Sequence, residues 1–179
     1  MEIRYGEHRA VIVIPSHGIV LKFPRMYVAS CVYVLRMRVR GKSLKEALMI
    51  ILTSVRWSSD FAFSPRRLLF KGFIDNWREW RFWRRTRHAI LAPTILWLPW
   101  VSVQRYANPL PIRDGKELRR RFSDILGEKI HLDGHHFRNP DNFGTADGHL
   151  AVCDYASLKT QELLTEFGEE LIRSFLIVP

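Results

Sequence analysis

The stretch from Asn139 to Tyr155, NPDNFGTADGHLAVCDY, leaves the backbone few choices. A loop presenting the amide of Asn142 runs through Phe-Gly to a turn at Ala146-Asp147-Gly148, and a short apolar strand follows from Leu150 to Cys153. Asp-Gly is a turn signal and the flanking residues favour extended backbone, so the spacing predicts a β-hairpin. A hairpin returns the chain to where it began, which sets Asn142 beside Asp154. A carboxamide oxygen next to a carboxylate is a pair of hard-oxygen ligands of the kind a magnesium ion shares with phosphates. Asparagine in a turn and aspartate after a strand are also ordinary loop chemistry, so the pair gains meaning only from the rest of the chain.

A chain of 179 residues forms one domain, or one domain with an insertion, and buries a sizeable core. Its 28 Lys and Arg against 18 Asp and Glu give a net charge of +10, a field that draws nucleic acid, acidic protein or nucleotide phosphates. Cys31 and Cys153 are far apart and both lie in apolar runs, which predicts reduced, buried thiols and a cytoplasmic protein. The N-terminal residues MEIRYGEHR are charged before the first apolar run, unlike a secretory signal. Ala89 to Val103 is the longest candidate membrane segment, but it is short and broken by Pro93 and Pro99, so it is expected inside the fold and no membrane partner is expected.

In chain order, Arg9 to Pro15 and Gly18 to Pro24 are apolar runs separated by Ser-His-Gly, a second hairpin signature. Lys22 interrupts the second run. A lone strand lysine ordinarily lays its stem along the sheet and keeps its ammonium in water. Cys31 to Arg40 alternates Tyr33, Leu35, Met37 and Val39 with Arg36, Arg38 and Arg40, a strand with a basic outer face. Ser43 to Glu46 is a capping box that opens a helix carrying Leu44, Ala47, Leu48, Ile51 and Val55. Phe70 to His88 reads as a helix with Phe73, Trp77 and Trp80 as its apolar stripe and Arg78, Arg81 and Arg85 on the solvated side. Its Glu79 needs a partner if buried, and Lys22 is the candidate. Interleaved Arg and Trp could also stack on and neutralise nucleic acid. Thr94 to Val103 reads as strands, Asn108 to Pro111 as an extended connector, Gly115 to Gly127 as a helix, and Ser157 to Ile177 as a final helix capped by Ser157.

Taken together, the pieces resemble the protein-kinase-like superfamily in a much reduced form, of the kind found among phage and bacterial proteins. VLKFP with Lys22 looks like the family's nucleotide-binding lysine strand, after a hairpin in which Gly6 lies where the phosphate loop would be. NWREW with Glu79 resembles the helix whose glutamate pairs with that lysine. WVSVQRYANP, with Gln104 and Tyr106, is similar to the last N-lobe strand and the hinge that holds adenine. HHFRNPDN and CDY look like the catalytic loop and the metal-binding Asp-Phe-Gly, carried over to Asn142 and Asp154.

The resemblance implies an α+β protein-kinase-like fold. Residues 1–104 would form an antiparallel N-lobe sheet with the glutamate helix and a strand-helix insertion at about 26–70. Residues 105–179 would form the hinge and a truncated C-lobe with the catalytic-loop-like hairpin and the final helix. It also implies ATP and magnesium as cofactors. The chain departs from the pattern where the catalytic aspartate should be, because Phe137 stands there and a phenyl ring cannot accept a proton. His135 matches the family's histidine and His136 falls at its arginine; Asp133, with His135 or His136, is the alternative base. Tyr155-Ala156 replaces Phe-Gly, the phosphate loop is poor in glycine, and no Ala-Pro-Glu follows. The expectation is a catalytically impaired pseudokinase in the cytoplasm, host cytoplasm if the chain is phage-encoded, that binds a protein or nucleoprotein partner through basic surfaces. The alternatives are an active small phosphotransferase and a basic nucleic-acid-binding protein.

Overall fold

A computed structural model describes residues 1–6, 8–25, 40, 43, 65–134 and 136–175. The strand and helix expected between Cys31 and Val55 lie outside the described residues except for Arg40 and Ser43. Among the described residues the fold is α+β, with antiparallel sheets and three helices.

The upper layer is a five-stranded sheet in the order β1-β2-β3-β5-β4. Its strands are β1 (Glu2–Tyr5), β2 (Arg9–Ile14), β3 (Ile19–Pro24), β4 (Thr94–Leu98) and β5 (Val101–Arg105). The β2-β3 hairpin turns at Gly18, whose φ of 64° is left-handed backbone that glycine adopts without strain. The cross-strand register lines up Arg4, Val11, Lys22 and Ser102 in one transverse row, and Glu2, Val13, Val20 and Gln104 in another. Because side chains alternate across a strand, both rows project from the same face.

Helix α1 (Pro65–Thr86) covers part of that face. The apolar stripe expected at Phe73, Trp77 and Trp80 is not the buried one. Gly72, Asp75, Asn76, Glu79 and Phe82 face inward, while Trp77 is exposed and Phe73 and Trp80 are half-buried against Trp100 and Trp97. The reason is electrostatic: the sheet face opposite carries Arg9 and Lys22, so the helix turns its acids toward them. Gly72 permits this approach, since a Cβ there would meet the carbonyl oxygen of His8 and lie 2.9 Å from Cα of Pro24.

The lower layer is built around aromatic rings. Helix α2 (Gly115–Leu126), capped by Asp114, buries Leu118, Phe122 and Leu126. Helix α3 (Leu158–Ser174), capped by Ser157 as expected, buries Leu163, Leu164 and Leu171. Phe122 meets Phe137, Phe143 and Phe175 at ring-centroid distances of 4.9, 4.7 and 4.8 Å. Phe82, Ile90 and Leu91 join this core from the middle of the chain. A small sheet, β6 (Asn108–Pro109), β7 (Phe143–Ala146) and β8 (His149–Val152), forms its edge, and the connector at Asn108 is therefore a short strand. The turn between β7 and β8 has positive φ at both Asp147 and Gly148, as the Asp-Gly pair requires. No helix among the described residues is long and apolar enough to cross a membrane.

Candidate functional site

Between the two layers lies a cleft of about 710 Å³. Its roof is the sheet face carrying Val11, Val13 and Val20; Lys22 and Arg9 stand at its inner end; its floor is Asp133, His136 and the loop from Asn139 to Phe143 together with Cys153 and Asp154.

Lys22 does not snorkel. It is 4 % exposed, and its Nζ donates to Oε2 of Glu79 and to the carbonyl oxygen of Cys153, both at 2.7 Å. Glu79 is fully buried and divided among donors. Its Oε1 accepts from Arg9 at 2.8 Å and from the Tyr155 amide at 3.4 Å. Asn76, one turn earlier on α1, donates to the Lys22 carbonyl at 3.0 Å and so fixes the height of the helix against β3. The ammonium and carboxylate that the sequence places far apart thus meet at the inner end of the cleft.

Asn142 and Asp154 also come together, through the backbone: the amides of Cys153 and Asp154 donate to the Asn142 carbonyl at 2.7 and 3.3 Å. Each side chain, however, already has a partner. The Asn142 amide donates to the carbonyl of His136 at 3.0 Å and accepts from Asn139 at 3.3 Å. Asp154 Oδ1 lies 2.8 Å from Nη2 of Arg9. Burial works against the Asp154 carboxylate, but Arg9, Lys22 and His136 outweigh it and hold the group well below the usual carboxylate range. Magnesium takes hard oxygen ligands. One Asp154 oxygen already faces the Arg9 guanidinium and the Asn142 amide oxygen accepts from Asn139, so an ion bound here would sit against a positive charge that cannot be shed, and the donor set fits it poorly. No cluster of three or more His, Cys, Asp or Glu side chains suited to a metal occurs among the described residues.

The remaining expected residues fall as follows. Gly6 closes the β1-β2 turn, its amide donating to the Arg9 carbonyl at 2.8 Å, and it lines the cleft. Gln104 is buried inside β5, and its side chain donates to the carbonyls of Ala92 and Cys153 at 3.1 and 2.9 Å, tying the layers together. Tyr106, in the stretch whose backbone the resemblance set against adenine, donates its amide to the Gly18 carbonyl at 2.9 Å and lines the cleft wall. Asp133 accepts from the hydroxyls of Ser157 at 2.7 Å and Thr160 at 2.5 Å, so it braces the start of α3. His136 Nε2 donates to the Asp154 carbonyl at 2.5 Å, and His135 lies outside the described residues. Phe137 is completely buried in the aromatic core.

Of the basic residues, Arg36 and Arg38 lie outside the described residues and Arg40 is exposed in a turn. Arg81 and Arg85 are exposed on α1, while Arg78 is half-buried. Guanidinium groups cover the aromatic faces there: Arg81 over Trp77 and Arg84 over Trp80, both at 5.0 Å, and Arg87 over Trp83 at 3.8 Å.

Sequence reasoning missed three cleft residues. Arg9 was counted simply as the start of a strand. Arg4 and Asp141 form an ion pair across the cleft mouth at 3.0 Å. The signal for Arg9 was its phase: it shares the Val11 and Val13 face of β2. Cys153 lies beside Lys22, and burial pushes its thiol up to about 11, which makes it a poor nucleophile.

Comparison of the chain with protein-family models, curated proteins and solved structures finds no match in any of the three. The chemistry of the cleft therefore has to stand on its own geometry.

Proposed function

We propose that the chain is a kinase-like protein that binds a nucleotide in this cleft, is impaired in phosphoryl transfer, and acts by engaging an acidic macromolecular partner. The observation that carries the reading is the buried Lys22-Glu79 pair, set beside an apolar roof of Val11, Val13 and Val20. A fixed ammonium next to a flat apolar slot matches the two halves of a nucleotide, phosphate and base. The cleft volume lies within the range of roughly 300–1,000 Å³ usual for ligand sites.

Impairment follows from the loop. Phe137 cannot orient or deprotonate a hydroxyl, and the Asp133 carboxylate is held by Ser157 and Thr160. For the partner, the outer face of α1 offers Trp77, Arg81 and Arg85, next to exposed Trp100, Leu98 and Leu96 at the sheet edge. The self-stacked Arg-Trp pairs leave less ring face for nucleobases and present guanidinium edges, which suits acidic protein better than single-stranded nucleic acid.

Thermal denaturation with ATP or ADP tests the first half. A ligand at ~100 times its Kd adds roughly 2.7 kcal/mol, and about 2–4 °C per kcal/mol at this length gives a rise on the order of 5–10 °C. Val20→Trp, which fills the slot, abolishes the rise. No stabilisation of the wild type at millimolar nucleotide overturns the reading, and steady turnover of ATP moves it to the active phosphotransferase.

A further inference from the structure

The cleft carries its own cation. Arg9 leaves the first position of β2 in phase with Val11 and Val13, so its side chain runs beneath the sheet toward Lys22 and Asp154. Its guanidinium is 2.8 Å from Asp154, 2.8 Å from Glu79 and 3.4 Å from the Asn76 amide oxygen, and the residue is 8 % exposed. The charged groups at this end balance, with Arg9, Lys22 and Lys71 facing Asp75, Glu79 and Asp154. A divalent cation on Asp154 would have to displace the guanidinium or sit against it, and a guanidinium in a protein cannot shed its charge to make room. Asp154 nevertheless keeps 36 % of its side chain exposed, so this end of the cleft remains open to a ligand.

Building on the nucleotide reading above, we infer that Arg9 is a resident counter-ion standing where a divalent metal would be, and that the cleft takes nucleoside polyphosphate free of Mg2+. Phosphate oxygens accept from the Lys22 ammonium and from guanidinium N–H groups of Arg9 that turn from Asp154 as the anion arrives. A planar fork of donors matches phosphate geometry as well as carboxylate geometry, so the exchange costs little directionality. Neutralisation by a fixed organic cation holds a phosphate chain without polarising its terminal phosphorus between metal-bound oxygens, which fits a protein that binds and does not transfer.

Isothermal titration of the whole chain with ATP, once in excess MgCl2 and once in EDTA, tests this directly. The expected result is a Kd in EDTA equal, within about threefold, to that in Mg2+ or tighter, because free ATP carries more negative charge for Lys22 and Arg9. Arg9→Met is expected to weaken metal-free binding by about tenfold or more, with Arg9→Lys recovering part of it. ATP binding that appears only with Mg2+ overturns the role of Arg9 while leaving a nucleotide site in place. Absence of binding in both buffers removes the nucleotide reading and this inference with it. The wild-type comparison decides between these outcomes even if Arg9→Met fails to fold.

Discussion

The two layers that enclose the cleft are held by different forces. Below, Phe122, Phe137, Phe143 and Phe175 pack edge and face in a core without a buried charge among them. Above, the buried part of the contact between α1 and the sheet is ionic: Asn76 and Glu79 of the helix meet Arg9 and Lys22 of the strands, while Asp75 pairs with Lys71 one turn back on the helix. An apolar core gains free energy from buried area and tolerates imperfect partners. A buried ionic seam gains little over an apolar one, because desolvation offsets attraction, but it penalises heavily the loss of any one member. The lower layer therefore provides the stability, while the upper one specifies a single arrangement of charges facing the cleft.

The sharpest way to break this contrast is to put a charge where the rings are. Phe137→Asp puts a carboxylate where the kinase resemblance would have one, yet the site is completely buried. Loss of a buried phenyl costs roughly 3–5 kcal/mol, and an unpaired buried carboxylate adds several more. The sum approaches the whole stability of a typical domain, about 5–15 kcal/mol, so the variant is expected to lose its cooperative melt by circular dichroism. A folded, ATP-hydrolysing Phe137→Asp would show that the loop is free to rearrange and that this aromatic core is not what fixes it. Next in size is Glu79→Ala, which leaves Lys22 and Arg9 without their shared carboxylate; the expected loss is about 3–5 kcal/mol in a urea titration. A loss below about 1 kcal/mol would mean that water reaches the seam and that it behaves as a surface pair.

How far the sequence showed this depends on range. The β7-β8 hairpin was legible because its turn is local: Asp147 and Gly148 both need positive φ, and their identities announce it. The Ser157 cap was legible for the same reason. The Lys22-Glu79 pair spans 57 positions and was reached only by resemblance, with the need of a buried acid for a partner as its physical support. Arg9 was hidden because RAVIVI is apolar at most positions, so alternation does not say which face is roofed. The inward face of α1 was misjudged because Trp77 and Phe73 outweigh Asp75 and Glu79 on any hydrophobic scale, whereas the cations opposite them decide the orientation. β1 carried no signal at all, since Ile3 and Tyr5 are both exposed. Asn142 and Asp154 do come together, but their side-chain partners, Asn139 and Arg9, could not be read from spacing.

Acid should affect the layers unequally. Asp154 is only partly buried; desolvation raises it, but Arg9, Lys22 and His136 outweigh that and depress it in the folded protein. On lowering pH the unfolded carboxylate, near pH 3.9, takes up its proton first, so the contribution of Asp154 is complete at neutral pH and declines as pH falls below about 5. The wild-type urea midpoint should therefore fall between about pH 5 and pH 3 more steeply than that of Asp154→Asn, whose lower-layer core is the same. Parallel slopes would remove Asp154 from the ionic seam.

The smallest effect concerns the same chemistry at a shallower depth. Arg4 and Asp141 pair at 3.0 Å across the mouth of the cleft, as Arg9 and Asp154 pair at 2.8 Å inside it, but the outer side chains are 35 % and 61 % exposed. Exposed pairs contribute about 0–1 kcal/mol, since water screens them and holding two long side chains costs entropy. A double-mutant cycle over Arg4→Ala and Asp141→Ala should give a coupling below about 1 kcal/mol that vanishes in molar salt. The corresponding cycle over Arg9 and Asp154 should give a larger coupling that survives salt, because the inner guanidinium is shielded by the sheet above it. Equal couplings for the two pairs would mean that burial is not what separates them, and that the outer pair closes the cleft as firmly as the inner one fills it.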